Sequence, residues 1–329
     1  MNTVETGQLS VVLTYNCNLK CKYCFVSDKG ISDTIDFSTV KAGVEMWKKV
    51  FSGGKNKLGI LFTGGEPLLK KRLLFSIMDE LERLFPEIQF EFHITTNGTL
   101  LTEFFFTKIE HRNIFLCVSV DGDERSNEER LNGVKVLYDK IEQNIIIYAK
   151  KLDNKRFRAR MTITPNNVGH FYENIEQLVK LGVKNIHFSP NYEESWDNNS
   201  IDVFFKAYQR LGEFCSKGVI VEPFQSFSKN GVNKQGPYEH DCSFLPTINS
   251  TGDVYYCPRY AGKRLEKLGH VSDPQGVLLN FRKLVGMEQR VFHKEGFSFI
   301  CPSNYLENKY VMTNFRRFYN MYKMLDLVE

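Results

Sequence analysis

The sequence predicts an α/β fold, either an open partial (β/α)6 TIM-like barrel or a doubly wound sheet, followed by a small C-terminal α+β domain. Six strand-like segments alternate with helix-like segments over about the first 215 residues. Parallel strands need helical crossovers of this kind, and six units are two short of a closed eight-fold barrel. The last ~90 residues contain short strands and turns that end in one helix. In such folds ligands bind at the carboxyl ends of the strands.

Each predicted strand is a short β-branched or aromatic run, and each predicted helix shows apolar residues at helical spacing. The strands are predicted at residues 9–14, 58–63, 89–95, 114–120, 157–163 and 185–189. The helices are predicted at residues 38–51, 67–85, 103–109, 134–152, 170–181 and 203–217. Polar, Pro- and Gly-containing residues 222–240 are typical of a linker, which separates a barrel domain at 1–221 from a domain at 241–329.

Composition excludes several classes of protein. The 329 residues are 42% apolar and 25% charged, an ordinary globular balance. A net charge of +4 is too small to indicate nucleic acid as the main partner. No apolar run approaches the ~20 residues of a membrane span, and residues 1–10 lack the features of a secretory signal. We therefore expect a cytoplasmic protein without a membrane partner.

Eight cysteines in a chain from a reducing compartment indicate metal binding or redox chemistry rather than disulfides. Cys17, Cys21 and Cys24 directly follow the first predicted strand with the spacing Cys-x3-Cys-x2-Cys. Three thiolates on one loop can hold three corners of a [4Fe–4S] cluster and leave the fourth iron open. The alternative is a structural zinc ion, which requires a fourth ligand that no nearby residue supplies.

This segment resembles the signature of radical S-adenosylmethionine (SAM) enzymes. The resemblance extends over residues 8–190 and implies a partial six-unit barrel, a SAM-binding [4Fe–4S] cluster on the three cysteines, and Tyr23 against the adenine. Further segments at strand ends resemble the SAM contacts of that family. They are the Gly64-Gly65-Glu66-Pro67 motif, Thr96 and Asn97 after the third strand, and Ser119 and Asp121 after the fourth. By their charge, Arg130 beyond the fourth strand and Arg160 on the fifth are candidate partners of the SAM carboxylate.

The resemblance implies that SAM is cleaved reductively to a 5′-deoxyadenosyl radical, which abstracts hydrogen from an unactivated carbon of the substrate. It also implies an electron donor such as a flavodoxin or ferredoxin. Two cysteines lie outside the recognised clusters. We expect Cys117 to be a small core residue, and we expect a core position for Cys215 too, with a speculative role as hydrogen donor to a substrate radical.

Cys242 and Cys257, spaced around a hairpin turn at Gly252, resemble the start of the SPASM or twitch extension, which binds auxiliary iron–sulfur clusters. Cys301 resembles the start of its later cysteine group. The full extension carries seven cysteines in this region and this chain has three, so we expect one auxiliary cluster on these residues. His240, Asp241 and His270 are candidate fourth ligands. The alternative is an extension that keeps its fold without metal.

Three functions fit this pattern. The first is maturation of a ribosomally made peptide by cross-linking, epimerisation or another C–H modification. The truncated cysteine set argues against a sulfatase-maturing enzyme. The six basic residues between Lys150 and Arg160 form either a docking patch for an acidic leader or a solvated helix end. The second is a dehydrogenase of a sugar or aminocyclitol, and the third is a metal-stabilised binding module without catalysis.

Overall fold

The computed structural model describes residues 7–26, 34–132, 134–222, 224, 245–261 and 267–283. Its strands are β1 (Gly7–Thr14), β2 (Lys57–Gly64), β3 (Gln89–Thr96), β4 (Ile114–Ser119), β5 (Phe157–Ile163), β6 (Asn185–Pro190), β7 (Ile220–Glu222), β8 (Thr247–Ile248), β9 (Asp253–Tyr255) and β10 (Lys267–His270). Its helices are α1 (Phe37–Val50), α2 (Lys71–Leu84), α3 (Glu103–Ile109), α4 (Glu128–Leu131), α5 (Lys135–Lys151), α6 (Phe171–Lys180), α7 (Asn198–Gln209) and α8 (Gly212–Cys215).

The chain divides into two compact units, and the first comprises residues 1–20, 24–117 and 244–287. Its central strands are parallel, because β1 pairs with β2 and β2 with β3. On the other side of β1, β8 continues the sheet in parallel and β9 and β10 follow as antiparallel strands. Trp47 of α1, Phe62 of β2 and Phe92 of β3 are fully buried and form the centre of its core.

The second unit comprises residues 21–23, 118–243 and 288–329. Here β5, β6 and β7 pair in parallel in that order. One face of these strands is covered by helices, since Phe188 of β6 packs against Phe171 of α6 with ring centroids 4.9 Å apart. Phe171 in turn stacks on Phe204 of α7 at 5.1 Å. The other face of β5 and β6 carries half-buried or exposed polar side chains.

The predicted α/β class with a parallel-sheet core is confirmed. All six predicted strands are present, and the bounds of β5 and α3 match the sequence analysis residue for residue. The predicted helix at residues 203–217 is wrong in its bounds. It is two helices, α7 and α8, and α7 begins at Asn198 because the Asp197 side chain caps it by accepting from the Ser200 backbone N–H at 2.6 Å.

The C-terminal region is described only in part. The predicted hairpin at Gly252 is confirmed, because β8 and β9 pair antiparallel around it. The domain boundaries at 221 and 241 stay a prediction, and the predicted final helix lies outside the described residues. Among the helices that the structure describes, none has the length and apolar character to cross a membrane.

Candidate functional site

The loop that carries Cys17, Cys21 and Cys24, called the cysteine loop below, leaves β1 at Thr14. Its first residues are held by the segment that follows β2. The Gly65 backbone N–H donates to the Thr14 carbonyl, and the Glu66 N–H donates to the Asn16 carbonyl, both at 2.8 Å. The chain that leads into Cys17 is therefore fixed by main-chain hydrogen bonds to the Gly-Gly-Glu-Pro motif. The two segments approach each other so closely that the motif needs residues without a side chain.

Two glycines make that close contact possible. A Cβ atom on Gly64 would lie 2.3 Å from the Thr14 carbonyl oxygen, and one on Gly65 would lie 2.2 Å from the Asn16 carbonyl oxygen. Gly64 also has φ of +129°, a conformation that residues with a side chain rarely adopt. Both glycines thus serve the approach of the cysteine loop to the end of β2.

Glu66 is fully buried and joins the carboxyl ends of β2 and β3. Its Oε1 accepts from the Leu68 N–H at 2.9 Å and from the Thr96 hydroxyl at 2.7 Å, while its Oε2 accepts from the Asn97 N–H at 2.7 Å. Burial raises the pKa of this carboxyl above the usual range of a glutamate, and the three donated hydrogen bonds oppose that rise. Pro67 follows as the buried first residue of a short 3₁₀ helix.

Asn97 connects the same network to the first cysteine. Its side-chain amide donates to the Asn18 Oδ1 at 2.9 Å and to the Cys17 Sγ at 3.9 Å. The Leu19 backbone N–H donates to the same sulfur at 3.4 Å. Two N–H donors are therefore directed at one sulfur, and hydrogen bonds of this kind tune the potential of a cluster bound to that sulfur.

The second unit contains an ionic cluster in which Asp121 and Arg130 are buried and Tyr23 is half-buried. The Arg130 guanidinium donates two hydrogen bonds to the Asp121 carboxylate, at 2.9 and 3.2 Å. The Tyr23 hydroxyl donates to Asp121 Oδ2, and the guanidinium carbon lies 5.4 Å from the centre of the Tyr23 ring. These three residues, each predicted to contact SAM, therefore contact one another.

Backbone contacts hold this cluster at the ends of β4 and β5. The Thr162 N–H donates to Asp121 Oδ1 at 2.8 Å, and the Asp121 N–H donates to the Asn127 side chain at 3.0 Å. The Lys22 N–H donates to the Glu129 carbonyl at 2.9 Å, which fixes the chain beside Tyr23. Burial raises the pKa of the Tyr23 phenol, Arg130 opposes this and Asp121 adds to it, so the hydroxyl remains a donor.

The remaining predicted residues of the core domain lie in three different settings. Ser119 is half-buried at the end of β4, and Arg160 is exposed on the face of β5 that also carries Arg158 and Thr162. Cys215 is half-buried at the end of α8, just before the amino end of β7, so it does not lie at the strand ends that carry Asp121. The expected core position of Cys215 is wrong, because Phe214 is the buried residue of α8, and the role of Cys215 as hydrogen donor stays a prediction.

The expectation for Cys117 is wrong. Its side chain is half-buried, because β4 places Phe115, Cys117 and Ser119 on one partly exposed face and Ile114, Leu116 and Val118 in the core. The alternation of β4 could have indicated this, since Leu116 and Val118 on either side of Cys117 belong to the opposite face.

The C-terminal region contributes one cysteine to the described structure. Cys257 is half-buried after β9, whereas Cys242, Cys301, His240 and Asp241 lie outside the described residues. Both ring nitrogens of His270 already have partners, the Thr251 carbonyl at 2.9 Å and the Ser272 hydroxyl at 2.7 Å. In this arrangement His270 stabilises the hairpin.

Within the first unit, a small cavity of about 10 Å³ lies next to the Gly-Gly-Glu-Pro motif. Its lining includes Thr63 and Gly64 from the end of β2, Phe25 from the cysteine loop and Arg259 from the C-terminal region. The Arg259 guanidinium carbon lies 5.9 Å from the Phe25 ring centre. In the ranges that the structure describes, no three His, Cys, Asp or Glu side chains converge on a single-ion site.

Sequence reasoning missed several residues of the site. Asn18, Asn127 and Thr162 support the predicted residues through hydrogen bonds, and only the fold brings them there. His187 lies beside Arg160 in the sheet, and Glu222 lies on the far side of His187. The alternation of polar and apolar residues in β6 is the signal that could have identified His187.

Comparisons with known proteins agree with this geometry. Residues 11–181, more than half of the chain, match the family model described as the Radical SAM superfamily. An uncharacterized protein of Methanocaldococcus jannaschii is 29% identical over 86% of this chain and 95% of its own length. A cysteine-type anaerobic sulfatase-maturating enzyme of Clostridium perfringens is 25% identical over 78% of this chain and 75% of its own length.

Among solved structures, that of anSMEcpe with bound AdoMet and the Kp18Cys peptide superposes with a TM-score of 0.74. The similarity covers 98% of each chain at 20% sequence identity, so it bears on the fold.

Proposed function

The chain belongs to the Radical SAM superfamily, and we propose that it abstracts hydrogen from a peptide substrate during the maturation of that peptide. The family uses a [4Fe–4S] cluster and SAM. The modification that we propose is a cross-link, an epimerisation or another C–H functionalisation. A flavodoxin- or ferredoxin-type protein would supply the electron.

The observation that carries the proposal is the fixation of the cysteine loop. Backbone hydrogen bonds at 2.8 Å tie it to the segment after β2, and the Cys17 sulfur accepts two N–H donors. Three thiols on one loop, one of which accepts two N–H hydrogen bonds, fit a cluster that keeps one iron open. Cys17, Cys21 and Cys24 would hold the cluster. When bound, the reduced cluster and SAM supply the reductive cleavage that yields the 5′-deoxyadenosyl radical.

The residues of this chain position and shield that chemistry. Glu66 holds Asn97, and Asn97 contacts the Cys17 sulfur, so these two residues would orient Cys17 as a ligand of the cluster. In the second unit, Asp121 and Arg130 fix Tyr23 directly before Cys24. Glu66, Asn97, Asp121 and Arg130 are buried, and a buried lining of this kind keeps water from a reactive radical.

The relatives support a peptide as the substrate class. One of them is a sulfatase-maturating enzyme, and the structure of anSMEcpe was solved with a peptide bound. This chain has three C-terminal cysteines, whereas the full SPASM pattern has seven. A sulfatase-maturating enzyme would be expected to keep the full set, so we propose that the substrate is a peptide that does not belong to a sulfatase. One auxiliary cluster on Cys242, Cys257 and Cys301 remains part of this proposal.

Deuterium transfer tests both the chemistry and the substrate class. The reconstituted enzyme, SAM and dithionite are incubated anaerobically with a heat-treated extract of source cells grown in deuterated medium. We expect deuterium in the 5′-deoxyadenosine that forms, and we expect proteinase K treatment of the extract to abolish it. Deuterium transfer that survives the protease would exclude a peptide and favour a small molecule. A Cys17/Cys21/Cys24→Ala variant is the control and should form no 5′-deoxyadenosine.

A further inference from the structure

A row of three charged or titratable side chains crosses the sheet of the second unit. Arg160 of β5 is the direct register partner of His187 of β6, and His187 is the direct register partner of Glu222 of β7. Residues opposite each other on neighbouring parallel strands point to the same face, with about 4.8 Å between strands. The row therefore spans three strands on one face.

This face is opposite the one on which α6 packs. The alternate residues of β5 and β6, such as Met161 and Phe188, are buried, and Phe188 packs against Phe171 of α6. Arg160 is exposed, and His187 and Glu222 are half-buried. Strands of parallel sheets are usually buried on both faces, so a charged row within such a sheet indicates a surface that receives a ligand.

The row lies close to the cluster of Tyr23, Asp121 and Arg130 but deeper along the strands. Asp121 accepts from the Thr162 N–H, and Arg160 precedes Thr162 by two residues, about 6.6 Å along the strand. A group bound at Arg160 therefore lies on the amino-terminal side of the layer that the resemblance assigns to the SAM ribose. That position suits a substrate that binds nearer the amino ends of the strands than SAM does, rather than SAM itself.

The charges of this face determine which chemical group it can take. Arg158 and Arg160 on β5 provide two cations, and His187 provides a third when protonated. Glu222 lies at the far end of the row, beside His187 and two strands from Arg160. The β5 side is thus electropositive, and a planar guanidinium binds a carboxylate through two parallel hydrogen bonds.

We propose that Arg160, with His187 beside it, binds a carboxylate of the substrate, an acidic side chain or the C-terminus of the peptide. This inference rests on the proposed function for the identity of the substrate, whereas the anion site itself rests on the register of β5, β6 and β7. Glu222 orients His187 and excludes anions from the β7 end of the row. Arg160 thereby determines how the substrate is placed rather than how SAM is cleaved.

Histidine-selective NMR of the full chain tests the site without requiring turnover. The chain has seven histidines, and His187→Gln assigns the ring signals of His187. The probes are a blocked acidic peptide, acetyl-Gly-Glu-Gly-amide, its Gln counterpart and L-methionine. We expect the acidic peptide to shift the His187 signals saturably and the Gln peptide to leave them unchanged. Arg160→Gln should weaken the binding at least about tenfold, in line with loss of a charge-assisted pair.

Controls separate the alternatives. Arg125→Gln, an exposed arginine outside the row, should bind the acidic peptide like the wild type. Equal responses to both peptides, or unchanged affinity in Arg160→Gln, would overturn the proposal. A His187 shift caused by methionine, but not by the acidic peptide, would assign the site to the SAM carboxylate and also overturn it. SAM cleavage without peptide is measured separately, so its failure would count against the proposed function alone.

Discussion

At the residue scale, Gly64 shows how a local conformation determines the placement of the cysteine loop. Its φ is +129°, and an added Cβ would meet the Thr14 carbonyl oxygen at 2.3 Å. We expect Gly64→Ala to lower the free energy of unfolding by about 2–4 kcal/mol, because an unfavourable φ and a backbone clash add together. Urea unfolding and iron content after reconstitution measure the effect.

Gly169 is the matched control, since a Cβ there meets nothing within 4 Å. Gly169→Ala should leave both the stability and the iron content unchanged. If Gly64→Ala kept full iron content and stability, the close contact between the two segments would not be required for loop placement.

Asp121 is the counterion of a buried arginine, and this determines the effect of its removal. The Arg130 side chain is 7% exposed and that of Asp121 is 0% exposed. We expect Asp121→Asn to lower the free energy of unfolding by about 3–5 kcal/mol, because the guanidinium is left buried without a partner charge. Chemical denaturation measures this value.

Glu124→Gln provides the comparison for Asp121→Asn. It removes the surface pair between Glu124 and Lys135, whose side chains are 47% and 64% exposed. Exposed pairs of this kind contribute about 0–1 kcal/mol, so this variant should unfold almost like the wild type. Equal losses in the two variants would contradict the buried role of Asp121.

At the element scale, the capping of α1 leads to a pH-dependent stability. Asp36 Oδ1 accepts from the Thr39 N–H at 2.7 Å and from the Ser38 hydroxyl at 2.8 Å. These hydrogen bonds lower the pKa of Asp36 below the usual aspartate range. A lowered folded-state pKa means that the stabilisation is present above the unfolded-state pKa and is lost as the pH falls through the folded-state pKa.

We therefore expect Asp36→Ala to cost about 1 kcal/mol at neutral pH and less in acid. Asp36→Asn keeps the cap acceptor without the charge, so it should stay near wild-type stability and lose the acid dependence of this site. Thermal unfolding between pH 3 and pH 7 checks both variants. A constant difference between wild type and Asp36→Ala over this range would show that the carboxylate charge is not involved.

The elements also show what the sequence can and cannot predict. Strands β1 to β6 follow from β-branched and aromatic runs, the cysteine loop follows from the spacing of its cysteines, and Gly64 and Gly65 follow from the resemblance of their motif to that of the family. The start of α7 was missed because the apolar pattern begins at Ile201, whereas the capping residue Asp197 stands in a polar stretch. The position of Cys117 depends on which face of β4 is covered, and single-strand patterns do not determine this.

The partners of the site residues were the hardest to predict. Glu66 with Asn97, and Tyr23 with Asp121, are more than thirty and ninety positions apart in the chain. Strand order and register bring them together, so the sequence motifs identified the members but not their contacts. For the same reason, the pairing of Arg160 with His187 appears only once β5 and β6 are in register.

At the scale of the whole molecule, the iron content distinguishes one cluster from two. Cys257 follows β9, which belongs to the same compact unit as β1 and Cys17. With one auxiliary cluster on Cys242, Cys257 and Cys301, we expect about eight irons and eight sulfides per chain after anaerobic reconstitution. The Cys17/Cys21/Cys24→Ala variant should retain about four, because only the C-terminal cluster remains.

Cys257→Ala removes a proposed ligand of the auxiliary cluster and leaves the three N-terminal cysteines in place. It should also hold about four irons, but these would belong to the cluster that binds SAM, so SAM should still change its electron paramagnetic resonance spectrum. Cys215→Ala controls for the loss of a cysteine elsewhere and should keep about eight. About four irons in the wild type and about none in the triple variant would mean that the C-terminal cysteines hold no metal. An auxiliary cluster could then not accept an electron from a substrate radical, and any modification that oxidises the substrate would have to pass that electron to another acceptor.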